Sequence, residues 1–237
     1  MKFLCVLAHP EPASFTASLA HYGMRALEEE GHVVDVADLY AMQFDPVSDR
    51  RNFMEPFDPT RFDQQAEERF ASANAGFSPD LQREMDRLSS CDVLVLQFPI
   101  WWLGMPAIMK GWIDRVFAIG RTYGGGRWFD RGWMRGKQAM LAVTIGGTEQ
   151  AYSRDGIYGP VEDVLRPINH GILGFCGFDV VEPFIAYAPA RRGPAERTRI
   201  FDRYAQRLAR IDSAVRLPMI RSDDYERFVR KNPAALR

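Results

Sequence analysis

KFLCVLAHPEPASFTAS, residues 2–18, is the stretch that decides the fold. Its first seven residues, KFLCVLA, form a short unbroken apolar run, the pattern of a strand buried on both faces. Ser14 stands where a side-chain oxygen can cap a helix, and Phe15, Leu19, Met24 and Leu27 then recur at roughly helical spacing. Gly31 ends that helix, and residues 32–39 (HVVDVADL) read as a second strand. A strand, a helix and a strand joined this tightly imply a parallel pair with a right-handed crossover.

The same alternation runs outward along the chain. Residues 92–98 (DVLVLQF), 137–144 (KQAMLAVT) and 178–188 read as strands, and residues 79–90, 105–119, 160–175 and 196–211 as helices. Pro160 suits a first helical turn. Five strands alternating with helices predict an α/β fold, a doubly wound five-stranded parallel sheet with helices on both faces. Residues 40–78 break the rhythm. They are rich in Asp, Pro, Phe and Arg, show no clean period and are too long for an ordinary connection, so they read as an excursion beside the sheet and a candidate interface. The expected organisation is one domain over residues 1–217 with an insertion at 41–78, followed by a polar C-terminal arm at 218–237.

Composition narrows the function classes. With 46% hydrophobic residues, 26% charged residues and a net charge of −1 in 237 residues, nothing favours nucleic acid or an anionic membrane as the main partner. The local arginine excess (Arg191, Arg192, Arg197, Arg199, Arg203) reads as the solvated face of a helix. Cys5, Cys91 and Cys176 are far apart, form no C-x-x-C pair and sit in apolar contexts, so they read as small buried hydrophobes rather than a disulfide framework or zinc site. The chain runs straight into strand-like sequence without a secretory pattern. Its longest apolar stretch, residues 93–109, is too short to span a bilayer and contains Gln97, Pro99 and Pro106. A cytoplasmic location without membrane insertion is the expectation.

Doubly wound sheets bind ligands outside the carboxyl ends of their strands, which directs attention to three loops. The first, residues 9–18, lacks both G-x-G-x-x-G and G-x-x-x-x-G-K-[ST], but places Ser14 and Thr16 at a helix N-terminus, where free N–H groups favour an anion. Plain helix capping explains the same residues. The second, FPIWWLGMP (98–106), sets Trp101 and Trp102 between prolines at a strand end, an aromatic platform for a flat ring or a cover for the sheet end. The third, residues 144–153, carries Gly146 and Gly147, where backbone can approach a ligand closely, with Tyr152 and Tyr158 as phenolic donors just beyond. An anion cradle, an aromatic wall and a glycine edge on one face together describe a flavin site.

The chain resembles the NAD(P)H:quinone oxidoreductases of the DT-diaphorase type, flavodoxin-like flavoproteins, over roughly residues 2–208. The carrying segments are LAHP (7–10) with SFT (14–16), FPIWW (98–102) with PAIMKGW (106–112), TIGG (144–147) and GILGFCGF (171–178). The resemblance implies a flavodoxin-like fold, a homodimer with shared active sites, FAD ahead of FMN, and ping-pong hydride transfer from NAD(P)H to a quinone or similar aromatic acceptor. By the same resemblance His9, Ser14, Phe15, Thr16 and Ala17 would hold the pyrophosphate and ribityl region. Pro99, Ile100, Trp101, Trp102 and Leu103, with Thr144, Ile145, Gly146 and Gly147, would surround the isoalloxazine. Tyr152 would hydrogen-bond its pyrimidine side and Arg197 would lie near the adenosine. Trp102, Tyr123, Tyr158 and Phe175 would line the substrate pocket, Tyr123 and Phe175 from across the dimer, with Tyr152 and Tyr158 as the catalytic donors. Tyr158 is a departure, because mammalian members carry histidine there; imidazole can become cationic, whereas a phenol can only donate a hydrogen bond. Rival readings are a flavin reductase of azo, nitro or other aromatic acceptors, and an ancillary subunit of a potassium-efflux transporter.

Overall fold

The structure, a computed structural model, describes residues 1–231; the end of the expected arm, residues 232–237, lies outside the described residues. Strands β1 (Lys2–Leu7), β2 (Val33–Asp38), β3 (Val93–Pro99), β4 (Gln138–Ile145) and β5 (Asp179–Tyr187) form one sheet in the order β2-β1-β3-β4-β5. Every pairing in it is parallel. The expected doubly wound sheet is therefore present. The winding reverses between β1 and β3, and sheets of this kind bind their ligands outside the carboxyl ends of the strands at that point. Central β3 is buried at all seven positions, matching its unbroken apolar run.

Alternate side chains of β1 feed two cores. Phe3, Cys5 and Leu7 pack with Leu19, Met24 and Leu27 of α1 (Phe15–Glu29) and with Ile200, Tyr204 and Leu208 of α6 (Pro194–Ala209). Leu4 and Val6 join the opposite core, with Leu81 of α3 (Pro79–Ser90), Trp112 of α4 (Ala107–Val116) and Leu165 of α5 (Val161–Ile168). Ser14 caps α1 by accepting from Ala17 N–H at 3.1 Å, and Gly31 turns the chain out of it at φ +84°.

The structure departs from the sequence reading in four places. Residues 40–78 contain a helix, α2 (Gln64–Asn74), capped by Asp63; its buried face carries Glu67 and Glu68 beside Ala71, so no apolar stripe marks it. The helix expected over 105–119 is confined to α4, because Pro106 stands at its N-cap and the backbone leaves helical geometry at Phe117. The helix expected over 160–175 divides into α5 and a π-helical stretch, Asn169–Gly174, just after Pro167, which has no N–H to give the ladder. The arm docks on the body: Ser222 donates its N–H to Asp130 at 3.0 Å, Phe228 packs on Trp128 at 5.1 Å, and β6 (Tyr225–Glu226) pairs with β7 (Val229–Arg230).

All three cysteines are buried and unpaired. Burial pushes the Cys5 and Cys176 thiols up to about 12 and Cys91 to about 11, so none is an available thiolate near neutrality. Among the described residues no helix is long and apolar enough to cross a membrane.

Candidate functional site

Thr144, next to last in β4, joins the three loops. Its hydroxyl lies 2.7 Å from that of Thr16 in a buried pair, and its carbonyl accepts from Ile100 N–H at 2.9 Å. The first loop is thereby tied to the third, and the third to the second. Below this junction Gln97 of β3 is fully buried and spans the sheet interior. Its Oε1 accepts from Tyr204 Oη at 2.8 Å, and its Nε2 lies 3.4 Å from the Thr16 carbonyl. Burial raises the Tyr204 phenol well above its ordinary range, keeping it a neutral donor.

The residues fit an anionic, ring-bearing group. The N–H groups of Phe15 and Thr16, in the first turn of α1, meet no acceptor among the described residues, and neither do those of Gly146 and Gly147. Four donors are thus presented at one end of the sheet, two of them with the favourable end of a helix dipole. The Phe15 ring turns away to pack on Phe201 at 5.0 Å, so only its backbone faces the loop. Gly146 is open, with nothing within 4 Å of where a Cβ would stand; Gly147 instead admits the Tyr152 ring, 2.9 Å from that point.

The second loop forms a raised crest. Trp101 and Gly104 exchange two backbone hydrogen bonds of 3.0 Å, forcing Trp102 and Leu103 to φ +51° and +57°. Left-handed geometry costs a non-glycine residue about 1–2 kcal/mol, and here two consecutive residues bear it. The Trp102 side chain is fully exposed and touches none of the fold's aromatic clusters, while Trp101 faces His9 edge-on at 6.1 Å. Beyond the third loop Tyr152 and Tyr158 pack at 4.8 Å, with Tyr187 6.4 Å from Tyr152. Tyr152 is buried and Tyr158 half exposed. Burial, and then the nearby Tyr158, raise the Tyr152 phenol above its ordinary value, so it remains a donor at neutral and mildly alkaline pH.

Three expected residues lie elsewhere. Tyr123 and Phe175 pack together at 6.0 Å in a separate aromatic cluster, where Phe175 also stacks on Trp128. Arg197 donates from Nε and Nη2 to the carbonyls of Pro189 and Ala190, fixing the loop after β5. Gln97, Tyr204, Tyr187 and Trp128 were absent from the sequence expectation. Only Gln97 carried a signal: a single amide inside an otherwise apolar strand. No cluster of metal-ligating side chains occurs among the described residues.

A family model for the flavodoxin-like fold matches residues 1–211, which defines the class. Curated relatives sharpen it. The chain is 44% identical to a ribosyldihydronicotinamide dehydrogenase-like protein of Penicillium crustosum, over 79% of this chain and 73% of that one. It is 40% identical to NAD(P)H dehydrogenase [quinone] 1 of Cavia porcellus, over 89% of this chain and 77% of that one. A solved Klebsiella pneumoniae structure, provisionally assigned as a quinone reductase, superposes with TM-score 0.90 at 36% identity, covering 95% of this chain and 91% of its own. The chain belongs to the NAD(P)H:quinone oxidoreductase family of flavodoxin-like proteins and is an oxidoreductase.

Proposed function

We propose that the chain binds FAD at the carboxyl ends of β1, β3 and β4 and passes hydride from NAD(P)H to a quinone in a ping-pong cycle. The observation that carries this reading is the Thr144 junction. It ties together the three loops that carry the four backbone donors, the exposed tryptophan crest and the tyrosine pair, which supports a shared site at that end of the sheet. The flavin, when bound, supplies the capacity to take up and release hydride. The Phe15 and Thr16 N–H groups would hold its phosphates, and Gly146 and Gly147 would donate along the ring edge. Trp101, Trp102 and Leu103 would cover the ring and exclude water, which strengthens every donor inside. Tyr152 and Tyr158 would hydrogen-bond to the pyrimidine side, where negative charge grows during reduction.

The chain works as a homodimer in this reading. Among the described residues nothing covers Trp102, and the cluster of Tyr123, Phe175, Trp128 and Phe228 presents partly exposed rings of the kind that would close the pocket of a second copy.

Purified protein should be yellow, with about one flavin per chain, and mass analysis of the chromophore released by heat should give FAD. A colourless protein that takes up neither FAD nor FMN at micromolar concentration would refute the reading. Steady-state rates on quinone, azo and nitroaromatic acceptors then rank the substrate classes.

A further inference from the structure

We infer that α2 is the mount for Tyr123, and that Glu68 and Ser72 are positioning residues that set the acceptor pocket. The inference rests on the proposal that Tyr123 walls that pocket. Its basis is the backbone of one residue. The N–H of Ile119 donates to Glu68 Oε2 at 2.7 Å, and the carbonyl of Ile119 accepts from Ser72 Oγ at 2.9 Å. Two side chains four residues apart on one helix face therefore hold both backbone groups of a single residue in another element.

That residue opens the turn carrying Tyr123. Ile119 bridges Tyr123, and Gly120 N–H donates to the Tyr123 carbonyl at 2.8 Å. Gly120 sits at φ +83°, and a Cβ there would lie 3.0 Å from Ser72 Cβ and Oγ, so the turn is pressed against α2. Immediately after Tyr123 come Gly124, Gly125 and Gly126 at φ +115°, +62° and +73°. Backbone of that kind transmits little constraint, and among the described residues its side-chain hydrogen bond is from Trp133 Nε1 to the Gly124 carbonyl at 3.1 Å. The placement of Tyr123 thus depends mainly on the α2 side of the turn.

Packing alone does not explain Glu68. Its side chain is 4% exposed, and an apolar residue would fill the same space without the cost of burying a carboxyl. What glutamate adds is a second acceptor: Oε1 takes Gln64 Nε2 at 2.9 Å while Oε2 takes Ile119. Glu68, Gln64, Tyr123 and Phe175 line one shallow hollow of about 210 Å³. The insertion at 41–78 accordingly acts on the pocket through its helix, although none of its residues is in the loops that meet at Thr144.

The test uses the flavin-loaded protein with NADH and a naphthoquinone, and compares Glu68→Ala, Ser72→Ala, Glu68→Gln and Tyr123→Ala. Tyr123→Ala should raise the quinone KM; Glu68→Ala and Ser72→Ala should raise it about three- to tenfold, the scale of one lost hydrogen bond, with kcat and flavin content within about twofold. Hydrogen exchange at the Ile119 amide should quicken in Glu68→Ala. Glu68→Gln should restore both readings, because its amide oxygen accepts from the same N–H. The double variant Glu68→Ala/Tyr123→Ala should be no worse than the poorer single. Should Glu68→Ala fail to fold, Ser72→Ala carries the same test. A raised KM in Tyr123→Ala with unchanged KM in Glu68→Ala and Ser72→Ala would overturn the mount and leave the pocket assignment standing. An unchanged KM in Tyr123→Ala would overturn both, while a yellow, active protein kept the flavin assignment intact.

Discussion

The carboxyl end of the sheet has two tiers that solve opposite problems. The lower tier, Thr16, Thr144, Gln97 and Tyr204, is buried, and its side-chain polar groups find partners within the chain. The upper tier, Trp101 to Leu103 with Tyr158, is exposed, apolar and in part held in left-handed backbone geometry. A foundation can be satisfied by the chain alone because its job is to fix positions. A crest that holds a tryptophan in solvent on left-handed backbone persists because the sheet beneath over-determines it. Under the proposed function, the lower tier should govern stability and the upper tier binding and rate.

Gln97→Leu should break the first half of that distinction most visibly. It strands the Tyr204 hydroxyl in the interior, at about 1–3 kcal/mol, and unfolding midpoints should fall by about 2–4 °C for each kcal/mol. Adding Tyr204→Phe removes the stranded group and should recover part of the loss in thermal melts; an unchanged midpoint in Gln97→Leu would mean that the buried bond contributes nothing. Tyr158→Phe lies at the opposite pole. Its phenol is half exposed, so the fold should be unaffected, while stopped-flow flavin reduction by NADH and NADPH should slow by roughly tenfold. Tyr152→Phe should match it, the pair should be less than additive, and Tyr158→His should keep or raise the rate at pH 6–7. Wild-type reduction rates in Tyr158→Phe would make that residue a mere wall.

Trp102→Ala sharpens the comparison at smaller scale. Removing a fully exposed indole should leave the melting temperature of the flavin-free protein unchanged and weaken flavin binding about three- to tenfold. Fluorescence titration with FAD reads this directly, and equal affinities would return Trp102 to an ordinary surface role. The smallest effect is a pH dependence outside both tiers. Burial raises the Glu68 carboxyl above its usual range, against the weaker opposing pull of Ile119 N–H, Gln64 and Arg69. Because the folded form holds that proton more tightly than the unfolded form, the contribution is full below the unfolded value and is lost as pH rises through the folded one. Glu68→Gln should therefore be slightly more stable than wild type at pH 7, and the gap should close as the pH is lowered toward 4. A gap independent of pH would show that Glu68 does not titrate in that window.

The sequence by itself determined the five-stranded parallel sheet and where its loops fall. Unbroken apolar runs such as VLVLQFP admit few placements other than a doubly covered parallel strand, and the glycines and prolines after them mark where the backbone turns. Local chemistry is written locally, which is why Ser14, Trp101, Gly146 and Tyr152 could be singled out from their neighbours in the chain. Tertiary structure alone decided which of those loops touch: Thr16 and Thr144 are separated by 128 residues, and Gln97 and Tyr204 by 107. It also decided that residues 64–74 are a helix, since glutamates on the buried side erase the period that would announce one, and the donors they accept from lie in other segments. The same reason hides the partners of Arg197, because its hydrogen bonds to the carbonyls of Pro189 and Ala190 depend on how β5 and α6 meet. Periodicity reports the environment of a residue averaged over its own element, whereas a hydrogen-bond partner across the fold is a property of two elements at once.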